Sequence, residues 1–155
     1  MSETQQLNLP LLSPSQAQKH VTVNEALTRL DGMVQLRLIS ITETIPPAIF
    51  SDGDCYGVPS GATGAWSGAE GQIALAINGG WDFITPRAGF QAFVQDAGAL
   101  ARHDGSDWRL GALSVTPNRA GLNVSSVEID VAVPSGASFE TTNLIPERAI
   151  VFGVT

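Results

Sequence analysis

The chain of 155 residues carries 15 acidic and 8 basic side chains, which gives a formal net charge of −7. This balance argues against a nucleic-acid partner, because phosphate contacts need clustered Lys and Arg. Every apolar run is much shorter than the ~20 residues that a membrane-spanning helix needs, so we expect no membrane insertion. Only 15% of the residues are charged, and a monomer with so little charge leaves apolar surface in water. We therefore expect a homo-oligomer.

The first twelve residues have the composition of an extended arm. Leu7, Leu9, Leu11 and Leu12 alternate loosely with polar residues and with Pro10, which is typical of a segment that lies along another surface. We predict that these leucines contact a partner; the alternative is an unattached terminus. The amino terminus has neither a basic nor an apolar segment, so we expect synthesis in the cytoplasm without a signal peptide.

A helix follows the arm. The segment Ser13-Pro14-Ser15-Gln16 combines a Ser N-cap, Pro at the first helical position and Gln three residues after the cap. Apolar residues then recur at helical spacing, which predicts a helix over residues 14–31 that ends near Gly32. We predict that Val21 and Leu27 take part in docking or oligomer contacts. The alternative is that the same residues form the core-facing stripe of a monomer.

The spacing of apolar residues changes after the helix. Alternation from Val34 predicts a strand that runs to Ile41, and Pro46-Pro47 prevents its continuation. We therefore divide the chain into a docking region with the first strand (residues 1–45), a Trp- and Gly-rich β-domain (residues 46–111) and further strands (residues 112–155).

Turn signals separate short strands in the rest of the chain, so we expect a mainly β fold of small antiparallel sheets. Asn78-Gly79-Gly80 predicts a hairpin between strands over 73–77 and 81–84, and Asp104-Gly105-Ser106-Asp107 predicts a second between 100–103 and 108–110. A further strand is predicted over 90–95, with Phe90, Ala92 and Val94 on one face. Alternation predicts another strand over 124–133. The last predicted strand, over 149–154, stops without a polar tail, so we expect either a strand locked into a sheet or a longer chain.

Residues suited to catalysis or metal binding are scattered. Cys55 is the one cysteine, which excludes an internal disulfide, and we expect a small core residue. His20 and His103 lie in different predicted elements, and Asp52-Gly53-Asp54 lacks the remaining ligands of a calcium loop. We predict no metal site, no cofactor, no catalytic residues and no enzymatic activity.

A weaker alternative is a polysaccharide-degrading enzyme. Such enzymes use paired carboxylates, and Asp82, Asp104 and Asp107 are the candidates in this sequence.

Trp66, Trp81 and Trp108 each lie beside a Gly-rich or Asp-rich turn. Tryptophans of a small β-domain usually anchor its core, and we favour that interpretation here. The alternative is a carbohydrate-binding module in which exposed Trp rings stack on sugars.

An ordered series of short motifs runs through residues 9–108 of the chain. The first motif is segment 9–27, which begins Leu9-Pro10-Leu11-Leu12 and ends Asn24-Glu25-Ala26-Leu27. The later motifs are Asp52–Tyr56, Thr63–Gly68, Gly71–Ala74, Gly80–Phe83, Pro86–Phe90 and Asp104–Trp108. Together these motifs resemble a protein family of unknown function that is common in alphaproteobacterial prophages and gene transfer agents. The resemblance covers about residues 7–111 and is less clear beyond them.

The resemblance implies a structural subunit of a phage-like particle, either a head spike or a tail fibre. In such proteins the amino-terminal part attaches to a capsid, spike-base or tail protein, and the carboxyl-terminal part meets cell-surface polysaccharide. The resemblance also implies a trimer, a location on the particle surface that becomes extracellular after lysis, and a chain that continues beyond Thr155.

Overall fold

A computed structural model describes residues 2–14, 19–116, 118 and 121–124 of the chain. Within these residues the fold is mainly β with one short helix near the amino terminus and small antiparallel sheets, which confirms the predicted fold class. In chain order the elements are α1 (Lys19–Val34), β1 (Arg37–Leu38), β2 (Cys55–Gly57), a 3₁₀ helix (Gly64–Trp66), β3 (Ile73–Ile77), β4 (Gly80–Ile84), β5 (Gln91–Val94), β6 (Ala99–His103), β7 (Trp108–Leu110), β8 (Ala112–Val115) and β9 (Gly121–Asn123). The strands predicted over 125–133 and 149–154 lie outside the described residues.

Helix α1 continues through Gly32 to Val34, so the predicted end near Gly32 is wrong. A Cβ atom at Gly32 would lie 3.0 Å from Leu75 Cδ1 and 3.5 Å from Cys55 Sγ. The helix therefore lies close to the sheet at a position that has no side chain. Glycine here permits close packing and does not break the helix.

Strands β2, β3 and β4 form an antiparallel sheet with β3 in the centre. The predicted hairpin between β3 and β4 is confirmed, with Ile77 paired to Gly80 across the turn. The two turn residues, Asn78 and Gly79, have φ angles of 52° and 72°. Two successive positive φ angles are typical of the type I′ turn that the Asn-Gly dipeptide favours.

A second sheet contains β1, β5, β6 and β7 in that order. Strand β1 runs parallel to β5, and the other pairs are antiparallel. The predicted second hairpin is confirmed, with His103 paired to Trp108. The strand predicted over 34–41 is shorter than expected, because Val34 still belongs to the helix and only Arg37 and Leu38 pair with β5.

The core lies on both sides of the three-stranded sheet, because successive side chains of β3 point to opposite faces. On one face, Ile73 and Leu75 pack with Leu36, Leu38 and Cys55. The other face holds a second cluster: Tyr56, Val58, Ala62, Trp66, Ala69 and Ala74. Both faces of β3 are therefore buried, which explains its nearly continuous apolar sequence.

Residues 1–45 contribute directly to this core. Leu38 of β1 is fully buried, and β1 hydrogen-bonds to the sheet of residues 91–110. The region that the sequence suggested for docking therefore also supplies a strand to the β-fold. Strands β8 and β9 pair with each other at the far end of the described chain.

Candidate interaction surface

Asp31 fixes the arm to helix α1. Its buried carboxylate accepts hydrogen bonds from Thr4 Oγ1 (2.7 Å), from the Gln6 N–H (2.9 Å) and from the Leu7 N–H (2.7 Å). A buried carboxylate needs such partners, because an unpaired one carries a large desolvation cost. Three donors from one short segment therefore hold that segment against the helix.

The arm closes on itself around this contact. Thr4 and Leu9 pair through their backbones, and Glu3 and Pro10 form a β-bridge. The side chain of Asn24 then bonds both the N–H and the carbonyl oxygen of Leu12, at 2.8 and 3.0 Å. The arm is thus a compact turn bound to its own helix, which corrects the prediction of an extended segment.

The six residues predicted to make docking or oligomer contacts lie on this arm and helix. Leu7, Leu12 and Val21 are exposed. The remaining three, Leu9, Leu11 and Leu27, are half-buried. The structure therefore leaves apolar side chains of both the arm and the helix accessible to a partner.

Three further aliphatic residues of α1, which were not among the predicted contact residues, are exposed. Val23, Leu30 and Val34 have exposed fractions of 42%, 51% and 50%. With half-buried Leu27 they follow the i, i+4, i+7, i+11 spacing of one helix face. We call these four residues the apolar stripe. Their spacing can be read from the sequence. Their exposure cannot, because it depends on which faces of α1 are covered by the arm and by the sheet.

A shallow groove of about 420 Å³ adjoins the apolar stripe between α1 and β4. Leu30 and Met33 of the helix face Phe83 and Ile84 across it. At its edge the guanidinium of Arg29 donates two hydrogen bonds to the carboxylate of Asp82. This ion pair fixes the end of the groove. It also engages Asp82, which is one of the three carboxylates considered for catalysis.

Trp66 and Trp81 belong to an aromatic cluster of the core. Trp66 is fully buried, and its ring centroid lies 5.1 Å from that of Tyr56 and 5.2 Å from that of Trp81. Trp81 also packs against Phe50, with 4.5 Å between the two ring centroids. Trp66 therefore presents no ring face to solvent and is removed from the possible glycan-stacking residues.

Trp108 differs, because it is half-buried and lines a groove of about 430 Å³. We call this cavity the Trp108 groove. Its lining also includes hydroxyl and carboxylate side chains: Thr42, Ser60, Ser106, Glu70 and Asp107. The buried indole Nε1 of Trp108 meets no acceptor among the described residues. The ring of His103 packs edge-on against Trp108 at 5.1 Å and supports it from the sheet.

Asp104 holds the turn that borders the Trp108 groove. Its carboxylate accepts hydrogen bonds from the N–H groups of Ser106 and Asp107 and from Arg109 Nε, each at 2.8 Å. Burial alone would raise the pKa of Asp104, but these hydrogen bonds and the charge of Arg109 hold that pKa well below its usual value. Asp104 is therefore a structural anion whose acceptor oxygens are occupied.

Cys55 and His103 are buried. Burial raises the pKa of the Cys55 thiol to about 12 and lowers the pKa of His103. His103 Nδ1 accepts the Gly105 N–H at 3.2 Å, which places the proton of the neutral ring on Nε2. The prediction that Cys55 is a core residue is confirmed. Among the described residues, no three His, Cys, Asp or Glu side chains are grouped so as to hold a metal ion.

A family described as "Protein of unknown function (DUF2793)" matches residues 23–109, which is more than half of the chain. The chain belongs to the DUF2793 family. No curated protein matches it.

The DUF2793 match includes some features of the candidate interaction surface and excludes others. It begins at Val23 and ends at Arg109, so it contains the whole apolar stripe and the Asp104 turn. The leucines of the arm precede it. Within the described part of this DUF2793 chain, no helix is long and apolar enough to cross a membrane.

Proposed function

We propose that this DUF2793 chain is a non-enzymatic structural subunit of a phage-like particle, a head spike or a tail fibre, which attaches to the particle through its amino-terminal region. The observation that carries the proposal is the accessible apolar surface formed by the arm and the apolar stripe. In a chain with so few charges, such a surface favours a protein partner.

The arm suits attachment because its backbone is fixed while two of its leucine side chains remain exposed. Leu7 and Leu12 donate their N–H groups to Asp31 and Asn24, and both side chains remain exposed. A preorganised apolar contact loses less conformational entropy on binding than a floppy terminus does. The choice of a capsid, spike-base or tail protein as the partner rests on the resemblance of the sequence motifs to those of prophage and gene-transfer-agent proteins.

The proposal includes a trimer, a location on the particle surface and support for binding of the host cell surface. Fibre-like subunits need several copies to build an elongated body, and the low charge of this chain favours self-association. Release to the exterior would follow lysis.

Incorporation into particles tests the role of the arm. Deleting residues 2–12 should leave the β-fold intact and abolish incorporation, measured by immunoblotting of purified particles. A double variant, Leu7→Gln with Leu12→Gln, is the matched control for the side chains, because the hydrogen bonds of the arm come from backbone groups at both positions. We expect it to fold normally and to be missing from particles. Normal incorporation of both variants would overturn the docking proposal.

A carbohydrate-binding module is the second candidate function, and the Trp108 groove favours it. The groove combines one aromatic ring with hydroxyls and with the carboxylates of Glu70 and Asp107. Aromatic faces with hydrogen-bonding side chains suit sugar rings. No basic side chain lines the groove among the described residues, so a neutral sugar would be preferred to an anionic one.

Titration with neutral oligosaccharides tests this second function. Maltotriose and cellotetraose should shift the indole N–H signal of Trp108 in ¹⁵N-correlated NMR spectra and leave that of buried Trp66 unchanged. A Glu70→Gln, Asp107→Asn double variant should weaken the response. Unchanged Trp108 signals with every neutral sugar would leave the structural role as the surviving proposal.

A further inference from the structure

Five residues of helix α1 recur with the alternating spacing of three and four that defines a helix–helix seam. They are His20, Val23, Leu27, Leu30 and Val34. In a heptad written abcdefg, His20, Leu27 and Val34 fall at a, while Val23 and Leu30 fall at d. The apolar stripe is therefore the a/d row of α1, extended by one turn toward the amino terminus.

Two other faces of α1 are covered within the chain. Gly32 lies against Leu75 of the sheet, and the arm binds Asp31 and Asn24. A helix of this length is marginal alone, but here the sheet and the arm hold it before any association. A partner that binds the stripe would therefore not have to supply the free energy of helix formation.

The positions that flank the stripe present no repelling charges to a second copy. Four of them, at e and g of the heptad, are Asn24, Ala26, Asp31 and Met33. Asp31 is buried beneath the arm, where its carboxylate accepts three hydrogen bonds. Two copies of a chain with a net charge of −7 can therefore approach along this face without like charges meeting at the rim.

We propose that the apolar stripe is a parallel, in-register seam between copies of this chain. The inference rests on the proposed structural function and names the occupant of its helical surface. A parallel arrangement places Leu27 against Leu27 and Leu30 against Leu30. It also places Leu7 beside Asp31 and Leu12 beside Asn24 at the same height along the seam in every copy, with both leucines still exposed.

Substitutions on and off the stripe test the seam by light scattering of the full chain. Leu30→Glu should convert the oligomer to a monomer, because it places a carboxylate in every copy at a buried d layer. Thr22→Glu is the matched control, since Thr22 is exposed on the same helix and falls at c of the heptad, outside the a and d positions. Circular dichroism checks that both variants keep the fold.

Cysteine crosslinking tests the register. Cys55 is buried with a raised thiol pKa, so an introduced cysteine would be the reactive thiol of the chain. Val23→Cys and Leu30→Cys should each form covalent dimers with themselves on mild oxidation, and Thr22→Cys should not. Crosslinks between Val23→Cys and Leu30→Cys chains in place of the matched ones would show an antiparallel seam and overturn the proposed register.

The two proposals fail separately. A wild-type monomer at all concentrations, or an oligomer unchanged by Leu30→Glu, would overturn the seam and leave attachment through the arm standing. If the Leu7→Gln, Leu12→Gln variant forms an intact oligomer but is missing from particles, both proposals are supported. The same variant entering particles normally would remove arm attachment and leave the seam.

Discussion

The buried carboxylate of Asp31 joins the arm to helix α1 through three hydrogen bonds. Replacing it with Ala leaves Thr4 Oγ1 and the N–H groups of Gln6 and Leu7 without their acceptor. We expect the arm to leave the helix so that water can solvate these donors. The free energy of unfolding should fall by about 1–3 kcal/mol, the cost of breaking a buried hydrogen-bonded group. Urea denaturation measures the loss, and hydrogen exchange at Gln6 and Leu7 locates it.

Asp52→Ala is the control for this prediction. Asp52 is an exposed carboxylate that accepts one long hydrogen bond, from the Gly79 N–H at 3.3 Å, so its loss should change stability little. Unchanged exchange at Gln6 and Leu7 in the Asp31→Ala variant would show that other contacts hold the arm.

We expect Asp104 to make the turn beside Trp108 resistant to acid. Its pKa is lowered in the folded chain, so its contribution to stability is fully present above the unfolded value of about 3.9 and is lost as the pH falls through the lower folded value. We expect the amide signals of Ser106 and Asp107 to stay in place down to a pH of about 3. Asp104→Asn should shift them already at neutral pH. Signals that move in the wild-type chain with a midpoint near pH 4 would contradict the lowered pKa.

At the scale of elements, Gly32 decides how closely α1 packs on the sheet. Gly→Ala inside a helix usually stabilises by about 0.5–1 kcal/mol. Here the added Cβ would lie 3.0 Å from Leu75 Cδ1, and Leu75 is fully buried with little room to move. We expect Gly32→Ala to destabilise the chain, and Gly32→Val to do so by about 1–3 kcal/mol through overpacking. Thermal unfolding followed by circular dichroism measures both.

Glu25→Ala is the control that distinguishes the packing effect of Gly32→Ala from its effect on helix propensity. Glu25 is exposed on the same helix, so Ala there changes propensity by only a few tenths of a kcal/mol. A Gly32→Ala variant with a melting temperature above that of the wild-type chain would show that the Leu75 side chain can move aside. Close packing of α1 on the sheet would then not be the reason for glycine at this position.

Elements with local signals were predictable from the sequence, and elements that depend on distant partners were not. The β3–β4 hairpin follows from Asn78-Gly79, whose left-handed preference is a property of the dipeptide itself. Strand β1 is two residues long and exists because β5, more than fifty residues later, runs parallel to it. Gly32 was misread for the same reason, since its partner Leu75 belongs to another element.

The candidate surface was predictable in composition but not in position. The leucines of the arm were recognised, yet the acceptor that folds them back is Asp31, a helix residue with no local signature. The stripe residues have readable spacing, but covered and free faces of α1 become distinguishable only when the arm and sheet are in place. Burial also separates Trp66 from Trp108, which have similar sequence surroundings.

At the scale of the whole molecule, residues 1–45 cannot be treated as an attachment separate from the β-fold. They supply β1, and Leu36 and Leu38 of this region belong to the core cluster around Ile73 and Leu75. Each buried leucine of this kind contributes about 2–5 kcal/mol, judged by its truncation to Ala. A marginally stable domain cannot lose both and remain folded.

We therefore expect a chain that begins at residue 46 to lose cooperative unfolding, whereas deletion of residues 2–12 should preserve it. Cys55 reports the difference, because in the intact fold it is buried beneath Gly32 with a thiol pKa of about 12. A thiol reagent at pH 8 should label it rapidly in the chain lacking 1–45 and slowly in the chain lacking 2–12. Protection of Cys55 and a sharp thermal transition in the shorter chain would instead show that residues 46–124 fold alone. The amino-terminal region would then be a separable docking module, and its deletion would test oligomer formation as cleanly as the Leu30→Glu substitution.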